Sequence, residues 1–177
     1  MNSDITKNIW RFVLLLLLQG LIFKRISPDA SLFYYVDFII FPLFLFLLPF
    51  RTSPLLIIFL GFVIGLSLDL LFYDSPGVHA SASVFTGFIR PTVLRFLEPK
   101  SGYNINQSPN KSELGMTWFL SYAAILLFGH LLFYFSIEFF TFVYIGQILL
   151  KTVLSFIFSM CFILLYMLIF DPKKYKN

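Results

Sequence analysis

Six long apolar runs alternate with short polar stretches along the chain, and this alternation predicts the fold. The runs cover residues 9–23, 32–50, 55–73, 78–97, 114–136 and 144–170. A helix of roughly 20 apolar residues is long enough to cross a bilayer. We therefore predict an all-α integral membrane protein, with six transmembrane helices forming a single domain over residues 1–177.

The composition supports a membrane location. Of the 177 residues, 59% are hydrophobic and 12% are charged, and the mean hydropathy is +0.87. Soluble domains carry about 25% charged residues, so this chain has too little polar surface to cover a soluble particle, and lipid must solvate it. Because Cys161 is the one cysteine, a disulfide within the chain is excluded.

Lysine and arginine are distributed unequally between the two ends of the predicted helices. With the N-terminus inside, nine lie on the inner side: Lys7, Arg11, Arg51, Arg95, Lys100, Lys111, Lys173, Lys174 and Lys176. Two, Lys24 and Arg25, lie on the outer side. Since cytoplasmic loops carry the excess of basic residues, we expect both termini in the cytoplasm. A nucleic-acid role is not expected, because the aromatic residues lie in the apolar runs.

Residues 98–113 form the longest polar segment, which this topology places in the cytoplasm. Their composition is typical of turns and disordered loops. We interpret residues 105–111 as a solvated linker, and we keep residues 98–103 as a candidate docking site for a cytoplasmic partner.

The third apolar run carries a helix-packing signal. Gly61, Gly65 and Asp69 recur every four residues and therefore share one helix face. Glycines at this spacing let a neighbouring helix approach closely. Asp69 is expected to point into the bundle, either as a hydrogen-bonded structural acid, which we favour, or as a transport or proton site.

The fourth run carries a polar stripe on a slender helix. His79, Ser83, Thr86 and Arg90 are spaced four, three and four residues apart, which places them along one side. Small residues lie between them, and Gly77 precedes them in a tight turn. The favoured interpretation is burial in the middle of the bundle, and the alternative is the lining of a cavity or of a partner-helix site.

In this topology five ionisable residues fall in the outer half of the membrane: Asp37, Asp69, His79, His130 and Lys151. Asp69 and His79 flank one short turn, so we expect a hydrogen bond between them. One of the two aspartates is expected to neutralise Lys151, because a buried charge persists only when it is paired. Arg90 lies towards the inner side, where we expect it to reach solvent or Glu98.

No catalytic motif is present in the sequence. The chain lacks HExxH, GxSxG, a Walker loop and a paired-acid motif. Its histidines and aspartates come from different runs, without the spacing of metal ligands. We therefore expect neither an enzyme nor a site for a metal or cofactor.

The run LDLLFYDSPGVHASASVFTGFIRPTVLRFLEPKSGY, residues 68–103, carries a family resemblance over roughly a fifth of the chain. An acid, Asp69, closes one span, a turn contains Gly77, and His79 opens a helix with small residues at 80–87. This arrangement resembles the rod-shape-determining MreD family in its Bacteroidota form. Further similar positions follow in the same run: Arg90, Pro91, Leu94, Arg95, Pro99, Gly102 and Tyr103.

The resemblance implies a non-enzymatic scaffold of the bacterial cell-elongation complex, located in the inner membrane and supporting peptidoglycan synthesis and cell shape. Its implied partners are MreC and, through MreC, the filament protein MreB, the glycosyltransferase RodA and the elongation transpeptidase. The MreD family is also similar in fold to the S-components of energy-coupling-factor transporters, although likeness of fold does not carry function. The alternative interpretation is an S-component-like transporter subunit that binds a small molecule through the outer polar cluster.

Overall fold

The structure is a computed structural model that describes residues 3–26, 35–75, 77–104 and 108–170. In chain order its helices are α1 (Ser3–Leu17), α2 (Leu43–Phe46), α3 (Pro54–Leu68), α4 (Val78–Phe96), α5 (Lys111–Leu114), α6 (Met116–Phe139) and α7 (Ile145–Phe170). A π-helical turn, Leu18–Ile22, and a 3-10 turn, Phe23–Ile26, extend α1. A second π-helical turn, Asp69–Tyr73, extends α3. No strand occurs among the described residues.

Three of these helical segments are long and apolar enough to cross a membrane: Pro54–Tyr73, Met116–Phe139 and Ile145–Phe170. Large apolar side chains are exposed on all three, including Phe59, Phe128 and Ile157. Extended apolar surface of this kind is solvated by lipid rather than by water. The chain is therefore an all-helical membrane protein, which confirms the coarser part of the prediction.

The closest helix packing lies between α3 and α4, and α4 in turn packs against α6, which packs against α7. A Cβ atom added to Gly65 would lie 2.5 Å from the Cα of Ala80, and one added to Gly61 would lie 2.8 Å from the carbonyl oxygen of Ser83. Both glycines therefore bring α3 against the backbone of α4, as small residues do in membrane bundles. The face predicted from the glycine spacing joins two helices of the same chain.

The second predicted helix, over residues 32–50, is wrong within its described part, residues 35–50. Residues 36–40 are extended, residues 41–42 form a turn, and only Leu43–Phe46 make a single helical turn. Pro42 lacks the N–H that a continuous helix would need at that position. The described chain thus has five long helices and one irregular passage, which we call the central segment (residues 35–50).

The central segment lies inside the helix bundle, and residues 38–49 are buried throughout. Non-helical backbone at membrane depth is tolerated only where protein surrounds it and supplies its hydrogen bonds. The side-chain amide of Gln19, in the π-helical turn after α1, supplies two of these hydrogen bonds. Its Nε2 donates to the carbonyl oxygen of Phe38 at 2.8 Å, and its Oε1 accepts the N–H of Ile40 at 2.9 Å.

Two serines of α7 complete the pairing of the extended residues. Ser155 Oγ accepts the N–H of Asp37, and Ser159 Oγ accepts the N–H of Ile39, both at 2.9 Å. The two serines are four residues apart on α7, which matches the two-residue spacing of the N–H groups along extended backbone. Ser155 and Ser159 are therefore partners for the backbone of the central segment.

The segment predicted as a cytoplasmic loop, residues 98–113, is partly ordered, and its residues 105–107 lie outside the described chain. The Tyr103 hydroxyl donates to the carbonyl oxygen of Leu94 at 2.8 Å, and its ring stacks on Phe50 with centroids 4.5 Å apart. Burial raises the pKa of Tyr103 to about 12. Asn110 caps the short helix α5. Tyr103 thus belongs to the packing of its own chain, which leaves less of residues 98–103 for docking.

We predict that Gly65→Ala lowers the thermal stability of the detergent-solubilised protein by about 1–3 kcal/mol, because the added carbon collides with the backbone of α4. The matched control is Gly146→Ala, since a Cβ there meets no atom within 4 Å. The measurement is the unfolding midpoint of each variant. Equal midpoints for the two variants would contradict the close approach of α3 and α4.

Candidate functional site

Asp69 lies at the end of α3, with its carboxylate at the first turn of α4. Oδ2 accepts the N–H groups of Gly77 and Ala80 at 3.1 and 2.9 Å, and Oδ1 accepts the N–H of His79 at 3.1 Å. The first N–H groups of a helix have no partner within the helix, and the helix dipole favours a negative charge beside them. The fully buried Asp69 is therefore the cap of α4, supplied by the preceding helix.

The same carboxylate also holds two side chains of the turn. His79 Nδ1 lies 2.8 Å from Oδ1, and Ser75 Oγ donates to Oδ1 at 3.1 Å. Because an ionised carboxylate only accepts hydrogen bonds, Nδ1 carries a proton. The hydrogen bond expected between Asp69 and His79 is present. The turn also needs Gly77, whose φ of +94° is a conformation that glycine adopts readily.

Lys151 is neutralised by Asp37, the first of the two aspartates considered. Its Nζ lies 3.3 Å from Oδ2 of Asp37 and 3.7 Å from Oε2 of Glu138. Lys151 also lies over the rings of Phe135 and Phe139, at 5.3 and 5.5 Å from their centroids. Two carboxylates and two aromatic faces together stabilise one ammonium group near the surface of the bundle.

His130 forms a third, separate group with Thr86. Thr86 Oγ1 donates to the carbonyl oxygen of Ala82 at 2.8 Å, so His130 Nδ1 must donate to Thr86 Oγ1, also at 2.8 Å. The ring of Phe41 lies beside both histidines, with centroids 5.4 Å from His130 and 5.8 Å from His79. The predicted outer cluster is thus divided into three groups, and His130 shares no hydrogen bond with the other two.

Arg90 does not reach solvent as expected, since it is 1% exposed. Its Nε donates to the Tyr122 hydroxyl at 2.9 Å, and its Nη2 donates to the carbonyl oxygen of Leu48. The Tyr122 hydroxyl donates in turn to the carbonyl oxygen of Phe46 at 3.0 Å. Within the described chain, Arg90 therefore serves the central segment, not Glu98. A buried guanidinium suits this place because it presents five donors in a fixed geometry.

The remaining stripe residue, Ser83, is satisfied within α4, since its Oγ donates to the carbonyl oxygen of His79 at 2.7 Å. Every residue of the fourth-helix stripe is fully buried. The interpretation of the stripe as the middle of the bundle agrees with this burial, and its alternative as a cavity lining applies to His79 alone.

A cavity of about 260 Å³ opens where the end of α1, the central segment and the ends of α3 and α6 meet. Six polar side chains line it: Gln19, Lys24, Asp37, Tyr73, His79 and Tyr134. Of the predicted outer cluster, Asp37 and His79 line this cavity, whereas Asp69, His130 and Lys151 do not.

No family model, curated protein or solved structure matches this chain. The assignment of roles therefore depends on the geometry of the site and on the residues that carry the family resemblance.

The residues that sequence reasoning missed are mainly an amide and several tyrosines. Gln19 interrupts the first apolar run, and a polar side chain at membrane depth is itself a signal of function or packing. Tyr73, Tyr122 and Tyr134 gave no such signal, because the chain has nine tyrosines and most such residues mark the membrane interface. Only the tertiary structure distinguishes these three tyrosines from those at the membrane interface.

The arrangement is suited to holding helices and backbone in place. The described residues contain no group of three or more His, Cys, Asp or Glu side chains able to hold a metal ion. Asp69 accepts five hydrogen bonds, and Arg90 and Gln19 bind backbone carbonyls. The cavity gives the described residues a concave polar surface.

We predict that Asp69→Asn destabilises the protein by about 3 kcal/mol, because the new NH₂ group must face N–H donors of α4 that are left unpaired. The control is Asp74→Asn in the same turn. Asp74 is exposed, and its φ of +49° is tolerated by asparagine. The measurements are the unfolding midpoint and the membrane abundance of each variant. An equal loss of stability in both variants would contradict the role of Asp69 as the cap of α4.

Proposed function

We propose that this protein is a non-enzymatic scaffold of the bacterial cell-elongation complex, similar to the MreD family. In this proposal it lies in the inner membrane and binds partner transmembrane helices through MreC. MreB, RodA and the elongation transpeptidase are its further partners, and peptidoglycan synthesis and cell shape depend on it.

The observation that carries the proposal is that the residues of the family resemblance form one structural unit. Asp69 accepts hydrogen bonds from the backbone of Gly77, His79 and Ala80, and from the His79 ring. The acid, the glycine turn, the histidine and the small-residue helix are thus joined by a single carboxylate. This unit sets α3 and α4 in register, which is what a scaffold needs if partner helices are to find a fixed surface.

The path of the central segment supports six membrane crossings. At its N-terminal end the segment binds Gln19, which follows α1. At its C-terminal end the carbonyl oxygen of Leu48 accepts from Arg90, and the ring of Phe50 stacks on Tyr103. The chain therefore passes from one end of the bundle to the other between α1 and α3, without forming a long helix. In our proposal this passage is the second of six crossings, both termini are cytoplasmic, and the fold is similar to that of S-components.

The outward surface supports binding to other transmembrane helices. α7 is contacted by α6 on one side, and its other side exposes apolar residues along its length, including Leu149, Val153 and Ile157. Helices associate in lipid through close packing of such surfaces rather than through burial from water. A partner helix of the MreC type would find continuous apolar surface on this side.

The second candidate function is an S-component-like transporter subunit that binds a small molecule. The cavity of about 260 Å³ favours it, because polar groups converge there from four parts of the chain. The two candidates differ in their partners. A scaffold of the elongation complex binds MreC, whereas a transporter subunit binds a membrane-embedded coupling protein and its ATPases.

The function is tested by depleting the protein from its host cells and by purifying a tagged copy from native membranes with mild detergent. We predict that depletion makes the cells round and that mass spectrometry of the eluate finds MreC. A tagged membrane protein of similar size and unrelated function is the control for non-specific capture. Rod-shaped depleted cells together with coupling protein and ATPases in the eluate would reject the scaffold and support the second candidate.

The topology is tested by cysteine labelling in a Cys161→Ser background. We predict that an impermeant maleimide labels Asp74→Cys in intact spheroplasts and labels Ser101→Cys only after the inner face is opened. Both positions are exposed, and they lie at opposite ends of α4. The reverse pattern would show the opposite topology. In that topology the side with nine basic residues would face outward, against the usual excess of basic residues in the cytoplasm.

A further inference from the structure

We propose that the cavity at the end of α1 binds the phosphate head of a small amphipathic molecule, with the apolar part of that molecule lying against the aromatic wall. The inference is independent of the scaffold function, because it depends only on the groups that face the cavity. The source of the phosphate is either a lipid head group or a soluble phosphate ester.

Lys24 supplies a positive charge at the cavity wall. Lys24 Nζ donates to the carbonyl oxygen of Phe72 and lies 5.5 Å from the centre of the Tyr73 ring. Among the described residues no carboxylate lies within ion-pair distance of Lys24. Asp37, the acid of the wall, is already paired with Lys151 at 3.3 Å. Since an ammonium group has three donors, its bond to Phe72 leaves two N–H groups that no described residue occupies.

Two tyrosine hydroxyls add donors on the same cavity. The Tyr73 hydroxyl accepts from Gln19 Nε2 at 3.0 Å, so its own proton is free to donate. The Tyr134 hydroxyl has no hydrogen-bond partner in the part of the chain that is described, although Tyr134 is only 6% exposed. Because Tyr134 lines the cavity, its hydroxyl is placed to donate to a ligand oxygen there.

His79 contributes the complementary group. Its Nδ1 is bound to Asp69, so Nε2 is the ring nitrogen that remains for a ligand, and His79 lines the cavity. A head group that carries a hydroxyl beside its negative oxygens satisfies both kinds of partner. A singly protonated phosphate monoester and the glycerol phosphate head of phosphatidylglycerol have this combination, whereas a simple amine has neither.

The rest of the wall suits a short apolar body. Phe23 and Phe38 have ring centroids 6.1 Å apart, and Val36 and Ile39 lie on the same wall. Small-molecule sites usually enclose about 300–1,000 Å³, so a cavity of about 260 Å³ is at the lower limit. It accepts a head group with a few carbons, and the rest of a lipid would extend outwards into the bilayer.

The first experiment measures binding of three probes of similar shape to the full chain in a phosphate-free maltoside detergent. The probes are phenyl phosphate, benzyl alcohol and phenethylamine, and the measurement is isothermal titration calorimetry. We expect phenyl phosphate to bind at least tenfold more tightly than the other two, because only it matches the cation and the hydroxyls. Tighter binding of phenethylamine, or no binding of phenyl phosphate, overturns the proposal.

The second experiment uses matched variants. Lys24→Met keeps a long side chain without charge, and its control is Arg25→Met, which removes a neighbouring exposed cation that does not line the cavity. We expect about a tenfold loss of phenyl phosphate affinity in Lys24→Met and no change in Arg25→Met. Equal losses in both variants would reduce the effect to general surface charge and reject the site.

Tyr134→Phe is a second variant that tests the same site if Lys24→Met folds poorly. The Tyr134 hydroxyl makes no bond to the described residues, so removing it leaves the packing of the ring intact. We expect an unchanged unfolding midpoint and a several-fold weaker affinity for phenyl phosphate. Unchanged affinity in Tyr134→Phe would exclude the cavity as the binding place.

The source of the phosphate is distinguished by native mass spectrometry of protein released from phosphatidylglycerol nanodiscs. A lipid retained by the wild type and by Arg25→Met, and lost from Lys24→Met, assigns the cavity to a lipid head group. Binding of phenyl phosphate without any retained lipid assigns it to a soluble phosphate ester. A lipid retained equally by all three proteins, together with failure of the probe to bind, counts against the site.

Discussion

The structure depends on the hydrogen bonds that the central segment receives from the helices around it. Backbone groups that lack partners in a membrane cost several kcal/mol each, so residues 35–50 can remain irregular only because protein side chains replace water. Gln19, Ser155 and Ser159 bind its N-terminal half, and Arg90 binds its C-terminal half, partly through Tyr122. These polar residues on otherwise apolar helices are therefore structural requirements, and their positions fix how the helices surround the segment.

Asp69 performs a related task at the junction of α3 and α4. The glycines of α3 bring the two helices into contact, and the carboxylate then satisfies the free N–H groups at the start of α4. The acid is stable at this depth because five donors and a helix dipole surround it. Close packing and capping reinforce each other, since a separation of the helices would leave both the acid and the N–H groups unpaired.

Some polar groups are bonded within the chain and others face the cavity, and this difference connects the fold with the proposed functions. Asp69, Arg90 and Gln19 are fully buried and bonded within the chain, which is consistent with a scaffold whose outer surface binds partners. Lys24 and Tyr134 differ, because each keeps hydrogen-bonding capacity that faces a cavity. A scaffold with a lipid or phosphate site is physically consistent, since the cavity and the lipid-facing side of α7 use different parts of the surface.

The sequence by itself determined four of the long helices. The runs at 55–73, 78–97, 114–136 and 144–170 lie on α3, α4, α6 and α7, and the four-residue spacing of Gly61, Gly65 and Asp69 correctly indicated a face packed against another helix. The run at 32–50 predicted a helix and is instead the central segment, because hydropathy reports burial and does not report backbone conformation. Only the tertiary structure decided that burial could occur without a helix, since this requires Gln19, Ser155, Ser159 and Arg90 to converge from distant positions. The cavity, too, was decided only by the tertiary structure, because its walls come from parts of the chain that no local sequence pattern relates.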